Sequence, residues 1–318
     1  MPAFFLIFFA SVRNFTVGTD TVNYTADYRY NYDSAYIKIN ENLEIGFQLL
    51  NKTILYFTHE YFYLFLFSSC IVVFSYLYVI RKYSVNYFLS FFIFITFGFY
   101  TFYFNGLRQG IAMAIVFLSI PFLINKKIIG FLFICFLGSF FHISALFFIP
   151  FFFLIHIKIK LEFKILTCFV FSLLLSRVIV QKLSLSNDRY VHYTQASDTA
   201  GGYLTLLFYI FLGLFVYFFG RNIRINSNVF SVFEQIFLCG IALIIPLAFL
   251  GTDPSGPQRI LYYFSSSVII LLPYVFDRIN SFVVTILFVI LSLVYYYLIT
   301  TRFSDLTPFI LNDLFRIL

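Results

Sequence analysis

Apolar residues run along this chain in long blocks rather than in alternation, and the blocks are separated by short clusters of cations or by polar stretches. A spanning helix needs about 20 apolar residues. Blocks 61–80, 85–104, 106–124, 163–183, 203–219, 229–250, 260–276 and 281–300 meet or approach that length. Residues 2–12 are apolar but few, and they carry neither a basic leading region nor a small-residue cleavage site. They read as a short or tilted first helix rather than a signal peptide.

Block 128–155 is about 28 residues of nearly unbroken apolar sequence with Gly138, Ser139 and His142 near its middle. As one long helix it would deliver Lys158, Lys160 and Lys164 to the far side of the membrane; as two short arms it would return them. Short cytoplasmic loops collect Lys and Arg. With the hairpin, Arg81, Lys82, Lys126, Lys127, the three lysines, Arg221, Arg224 and Arg278 share one face. With the single helix that pattern collapses. The expectation is therefore an all-α polytopic membrane domain over 1–318, with about eleven hydrophobic segments and a re-entrant-like hairpin at 128–156. A backbone turn at membrane depth is tolerated only against protein or a wet cavity.

This threading sends 13–60, 184–202, 251–259 and the tail 301–318 to the opposite, extracytoplasmic face. Segment 13–60 holds six acidic and four basic residues. Within it, Leu43, Ile45, Phe47, Leu49, Leu50, Ile54, Leu55 and Phe57 predict an amphipathic helix at the interface, and 306–318 predicts a weaker one. The cytoplasmic face is minimal, so function is sought on the other.

Composition supports the membrane reading: 61% of the 318 residues are hydrophobic and 11% charged, against about 25% charged in soluble domains. The net charge of +7 does not suggest nucleic acid, because many of its cations sit in topology-setting loops. Cys70, Cys135, Cys168 and Cys239 lie inside apolar blocks and read as packing residues. The four histidines are scattered singly, so no metal site is expected.

Ionisable groups at membrane depth default to functional hypotheses. Arg108 stands in Asn105-Gly106-Leu107-Arg108-Gln109-Gly110, where the glycines permit close helix approach; the plain alternative is a snorkelling arginine. His142 stands at the proposed hairpin turn, either as a proton acceptor in a wet pocket or as a buried histidine satisfied by one hydrogen bond. Arg259 opens a helix after a Gly/Pro-rich turn that includes Asp253, its simplest partner. Arg189 follows Asp188 and precedes Tyr193 in a loop ending at Gly201-Gly202. Arg177 and Lys182 read as snorkelling, and Glu234 as the partner of Arg221 or Arg224. Three arginines and a histidine on one face would suit a diphosphate, which guanidinium groups grip in a bidentate way.

At these residues the chain resembles the EpsG family, a branch of the Wzy-type O-antigen and exopolysaccharide polymerases. The resemblance rests on Leu107-Arg108-Gln109-Gly110-Ile111-Ala112-Met113-Ala114, on Phe141-His142-Ile143-Ser144-Ala145-Leu146, and on Arg13 with Val17-Gly18-Thr19-Asp20-Thr21 and Asn23-Tyr24. Arg259 falls where a late arginine is usual. Relatives carry a full helix before the Gly-Thr-Asp loop, where this chain has only 2–12.

The resemblance implies a metal-independent glycosyltransferase without cofactor in the bacterial inner membrane, its site facing the periplasm or exterior. Its substrates would be undecaprenyl-diphosphate-linked glycans of O-antigen, capsule or exopolysaccharide synthesis, and a chain-length regulator and a flippase would be its pathway partners. Arg108 and Arg259 are then expected on the diphosphate, with Arg189, Gln109, Asp253 and Tyr193 as further substrate contacts. His142 is expected as base, with Asp20 as runner-up or orienting partner. An O-antigen ligase and a repeat-unit flippase are the alternatives. A membrane acyltransferase fits less well, since its histidine would face the cytoplasm.

Overall fold

The computed structural model describes residues 2–34, 39–186, 203–250 and 256–315. All helices and no strands are found among them, apart from one isolated β-bridge between Arg13 and Leu311. The chain begins with α1 (Pro2–Ser11), two single turns α2 (Thr21–Tyr24) and α3 (Ala26–Arg29), then α4 (Ile45–Phe57) and the long α5 (Phe62–Tyr83). Helix α4 is the expected amphipathic one: Phe47, Ile54 and Leu55 are buried while Leu49, Tyr56 and Phe57 are exposed.

The single span expected over 85–104 is broken. Helix α6 (Tyr87–Thr96) ends, the backbone turns at 97–101, and α7 (Phe102–Asn105) leads into α8 (Leu107–Phe117) and α9 (Ile120–Ile124). The hairpin is present: α10 (Ile128–Ser139) ends in a turn at 140–142, and a 3-10 helix (Ile143–Phe148) with α11 (Pro150–His156) returns beside it. Then follow α12 (Leu161–Ser186), α13 (Tyr203–Phe219), α14 (Arg221–Asn226) and α15 (Asn228–Ala248). A 3-10 turn (Pro257–Ile260) precedes α16 (Leu261–Ser265), α17 (Val268–Ile279) and α18 (Phe282–Leu298).

Among the described residues four stretches are long and apolar enough to cross a membrane: Phe62–Tyr83, Leu107–Ile124, Asn228–Ala248 and Phe282–Phe303. The pair Pro257–Ser265 and Val268–Ile279, bent by 43°, makes a fifth. The expected eleven segments also counted apolar helices of 10–17 residues, such as α1, α6, α10 and α13, which fall short of a simple span.

Helix α8 is the hub. Every residue from Leu107 to Phe117 is buried except Arg108, and α5, α10, the 3-10 helix after His142 and α16 surround it. Helix α15 joins this hub to α12, α13 and α17, while α18 lies on the rim with 6% of its span buried. Lipid tails are as apolar as leucine, so packing rather than water exclusion holds such helices together.

One end of the bundle holds the cationic loop residues. Glu234 is fully buried and accepts two hydrogen bonds from Arg224, at 2.5 and 2.6 Å, one of the two pairings expected. Lys164, expected in a loop, is instead buried, and its Nζ donates to the Ile155 carbonyl (2.9 Å) and Gln235 Oε1 (2.6 Å).

At the other end the C-terminal stretch is not the expected amphipathic helix. Residues 304–312 form no helix and strap the first loop: Asn312 N donates to Val12 O (2.7 Å), Asn14 N to Ile310 O (2.8 Å) and Gly18 N to Asp305 O (2.9 Å). These backbone bonds to a neighbouring chain segment replace the internal ladder a helix would supply; only Asp313–Phe315 forms a 3-10 turn. Under the strap Arg13 is completely buried. Its Nη1 donates to Ala10 O (2.7 Å), and its guanidinium lies 3.6 Å from the Phe65 ring centroid and 4.2 Å from that of Phe104. The aromatic faces supply the negative potential that an acid would otherwise provide.

Candidate active site around Arg108 and His142

The site is built on the start of α8. Gly110 lets α7 fold tightly against α8, because a Cβ there would stand 2.3 Å from Cβ of Tyr103. This elbow leaves Arg108 at the mouth of the hub helix. The guanidinium meets Glu44, Nη1 to Oε2 at 2.5 Å, with both side chains 12% exposed.

Glu44 is the residue before α4, and it ties that helix to the hairpin. Its Oε1 accepts a long 3.4 Å hydrogen bond from Ile143 N, and Gly46 N donates to Phe140 O at 2.8 Å. A Cβ at Gly46 would lie 2.7 Å from that same carbonyl oxygen, so only glycine allows α4 to dock on the hairpin turn. Three elements (α4, α8 and the turn) thus converge on one carboxylate.

His142 sits at the turn and caps the 3-10 helix: its Nδ1 accepts from Ser144 N at 3.3 Å and lies 2.7 Å from Ser144 Oγ. Ser144 Oγ is also 2.9 Å from the Tyr263 hydroxyl on α16. The backbone donor fixes Nδ1 as the lone-pair nitrogen, so the neutral ring carries its proton on Nε2.

The first loop completes the cluster. Asn105 Oδ1 accepts from Thr19 N (3.0 Å), and Thr21 Oγ1 donates to Phe104 O (3.0 Å), which holds the Gly18-Thr19-Asp20 turn against α7. Asp20 is half-buried at the start of α2 and makes no capping hydrogen bond. The Tyr24 hydroxyl records its neighbours electrostatically. Burial pushes it above its ordinary value and Asp20 adds to the rise, while Arg108 and Arg259 pull it back. Arg259, half-buried on the 3-10 turn before α16, is held by its backbone: its carbonyl accepts from Gln109 Nε2 at 3.1 Å.

The structure therefore brings together Arg108, Gln109, Arg259, Asp20 and, through Ile143 and Glu44, His142. Gln109, expected as a substrate contact, has its Nε2 on the Arg259 carbonyl, which joins the start of α8 to the 3-10 turn. Arg189, Tyr193 and Asp253 lie outside the described residues. Sequence reasoning missed Glu44, Ser144 and Tyr263. Glu44 lies 64 residues from Arg108, and its only local signal is an acid just before the start of an amphipathic helix.

Fold and cluster together define a helical membrane protein with a cation-rich polar site at one end of its bundle. The EpsG family matches residues 1–311, and the chain belongs to that family. Membership is consistent with a glycosyltransferase-like membrane protein of polysaccharide polymerisation. No curated protein and no solved structure matches the chain.

Proposed function

We propose that the protein polymerises oligosaccharide repeat units carried on undecaprenyl diphosphate, transferring the growing glycan to an incoming lipid-linked repeat. The observation that carries this reading is the placement of Arg108 and Arg259 near the one Tyr24 hydroxyl, with His142 on an adjoining turn. The reaction displaces a lipid diphosphate with a sugar hydroxyl. Arg108 and Arg259 neutralise the charge that grows on the departing diphosphate, work that preorganised cations do well in a partly dry site. The resident counter-charge of Arg108 is Glu44, which keeps the guanidinium aimed until the substrate takes its place.

The hydroxyl proton goes to His142. Because Nδ1 carries the lone pair and faces Ser144 Oγ, the route runs through that hydroxyl: Ser144 Oγ accepts the sugar proton as its own proton moves to Nδ1. Asp20 orients the acceptor glycan, and Arg189, Tyr193 and Asp253 remain its proposed further contacts. In this reading the protein lies in the bacterial inner membrane with the cluster facing outward, and the short apolar helices bring the count to about eleven segments.

The test is the glycan phenotype of a deletion strain. Single repeat units on the acceptor mean polymerase. Full-length polymer stranded on the carrier lipid would make the protein a ligase, and absence of repeat units from the outer leaflet would make it a flippase.

A further inference from the structure

In the sequence Cys168 and Cys239 read only as packing residues, yet the fold sets them face to face. Helices α12 and α15 run in the same direction and pack along their length. Two side-chain bonds fix their register: Lys164 Nζ donates to Gln235 Oε1 at 2.6 Å and Ser172 Oγ to Leu243 O at 2.5 Å, each across an offset of 71 residues. Residues four apart share a helix face. Cys168, midway between Lys164 and Ser172, therefore meets the residue at that same offset, Cys239. The two thiols share a hydrogen bond, and the charge of Lys164, one turn earlier, reaches both.

The helices approach closely here. A serine hydroxyl stands two bonds from its own Cα, so its bond to the Leu243 carbonyl draws the two backbones together, as a disulfide requires of its Cα atoms. Access to the two thiols is unequal. Cys239 is fully buried, whereas Cys168 lines a cavity of about 340 Å³ whose rim includes the exposed Ile157, Thr167 and Phe171. The cavity walls are almost wholly carbon, so a small apolar reagent enters more readily than an ion.

We propose that Cys168 and Cys239 are a peroxide-responsive clasp: an organic hydroperoxide oxidises Cys168 from the cavity, and Cys239 resolves the product into a disulfide that ties α12 to α15. In the first step the Cys168 sulfur takes the terminal oxygen of the hydroperoxide. An S–O bond forms, the O–O bond breaks, and the thiol proton leaves with the alcohol. The Cys239 sulfur then attacks that sulfenic acid; an S–S bond forms, the S–O bond breaks, and water carries off the second proton. The thiols give up two electrons together, and the hydroperoxide is reduced to alcohol and water. The thiolate is the form that reacts, and Lys164 is its resident cation. The inference is independent of the polymerase reading.

The test uses the full-length protein in nanodiscs, cumene hydroperoxide as the oxidant, and mass spectrometry of alkylated peptides. Treated wild type is expected to lose two of its four alkylatable thiols and to yield a peptide cross-linked between Cys168 and Cys239 that dithiothreitol releases. Cys239→Ser is expected to stop at the sulfenic acid, captured on Cys168 by dimedone, whereas Cys168→Ser gives no adduct on Cys239. Oxidised wild type is also expected to melt at a higher temperature than reduced, because the bridge closes a long loop in the unfolded chain. Neither serine variant should show that gain.

The control is Leu174→Cys on the exposed face of α12, made together with Cys168→Ser and Cys239→Ser. Four intact thiols in wild type, at a dose that oxidises this control, would overturn the clasp. A bridge that involves Cys70 or Cys135 would overturn it as well, and dimedone capture on Cys239 instead of Cys168 would overturn the order of attack.

Discussion

Arg108 is the only residue of α8 left unburied, and its charge is matched by a carboxylate from a helix 64 positions earlier. A point charge cannot reproduce the forked geometry of a guanidinium. Arg108→Lys is therefore expected to lower kcat about a hundredfold, the scale seen when one donor to a developing anion is removed, and to be nearly as damaging as Arg108→Ala. Polymer of normal length from the lysine variant would count against the diphosphate clamp. If the diphosphate displaces Glu44 from the Arg108 guanidinium, Glu44→Gln is expected to lower KM for the lipid-linked donor; a raised KM would mean that Glu44 aims Arg108 rather than yielding to the substrate.

The same scale settles the proton route. If the sugar proton reaches Nδ1 through Ser144, then Ser144→Ala and His142→Ala should each slow turnover by about a hundredfold, the lower range for general-base catalysis. The double variant should be no worse than the worse single, because the two residues act as one unit. A Ser144→Ala protein with the wild-type rate would move the base function to another group.

At the scale of elements, the hairpin was legible from charge alone. Only a return at His142 puts Lys158 and Lys160 on the face of Lys126 and Lys127, and both short arms are found, α10 and the 3-10 helix with α11. The amphipathic α4 was legible from its spacing. What could not be read was how these elements meet. The break between α6 and α7 lies inside an apolar run with no proline to mark it, and the strap at 304–312 trades helix bonds for bonds to Val12, Asn14 and Gly18, partners some 290 residues away in sequence. The docking of α4 on the hairpin turn hangs on Gly46, whose added Cβ would collide with Phe140 O. Gly46→Val is thus expected to reach the membrane in normal amount yet lose polymer, because α4 no longer docks on the turn that carries His142. Leu49→Ser, on the exposed face of α4, should be active. Equal activity of the two variants would show that the docking is dispensable.

At the scale of the whole molecule, the two ends of the bundle differ in kind. One carries short basic connections and two tightly satisfied buried charges, the Glu234 carboxylate with Arg224 and the Lys164 ammonium with Gln235; the other carries the folded 13–60 segment, the strap and the Arg108 cluster. If basic connections mark the cytoplasm, the ends must lie on opposite sides of the membrane, and the site must face out. The native thiols favour a direct check: Cys135, Cys168 and Cys239 are buried and Cys70 is half-buried, so background labelling should be low. Asn42→Cys, exposed beside α4, is expected to react with a membrane-impermeant maleimide when only the outer side is open to reagent. Lys127→Cys, exposed between α9 and α10, should react only after the inner side is opened. Protection of Asn42→Cys together with labelling of Lys127→Cys would invert the molecule, and with it the side from which a lipid-linked glycan approaches. Labelling of both from outside would mean that an even number of crossings separates the two positions, and the threading of α5 to α9 would then have to be redrawn.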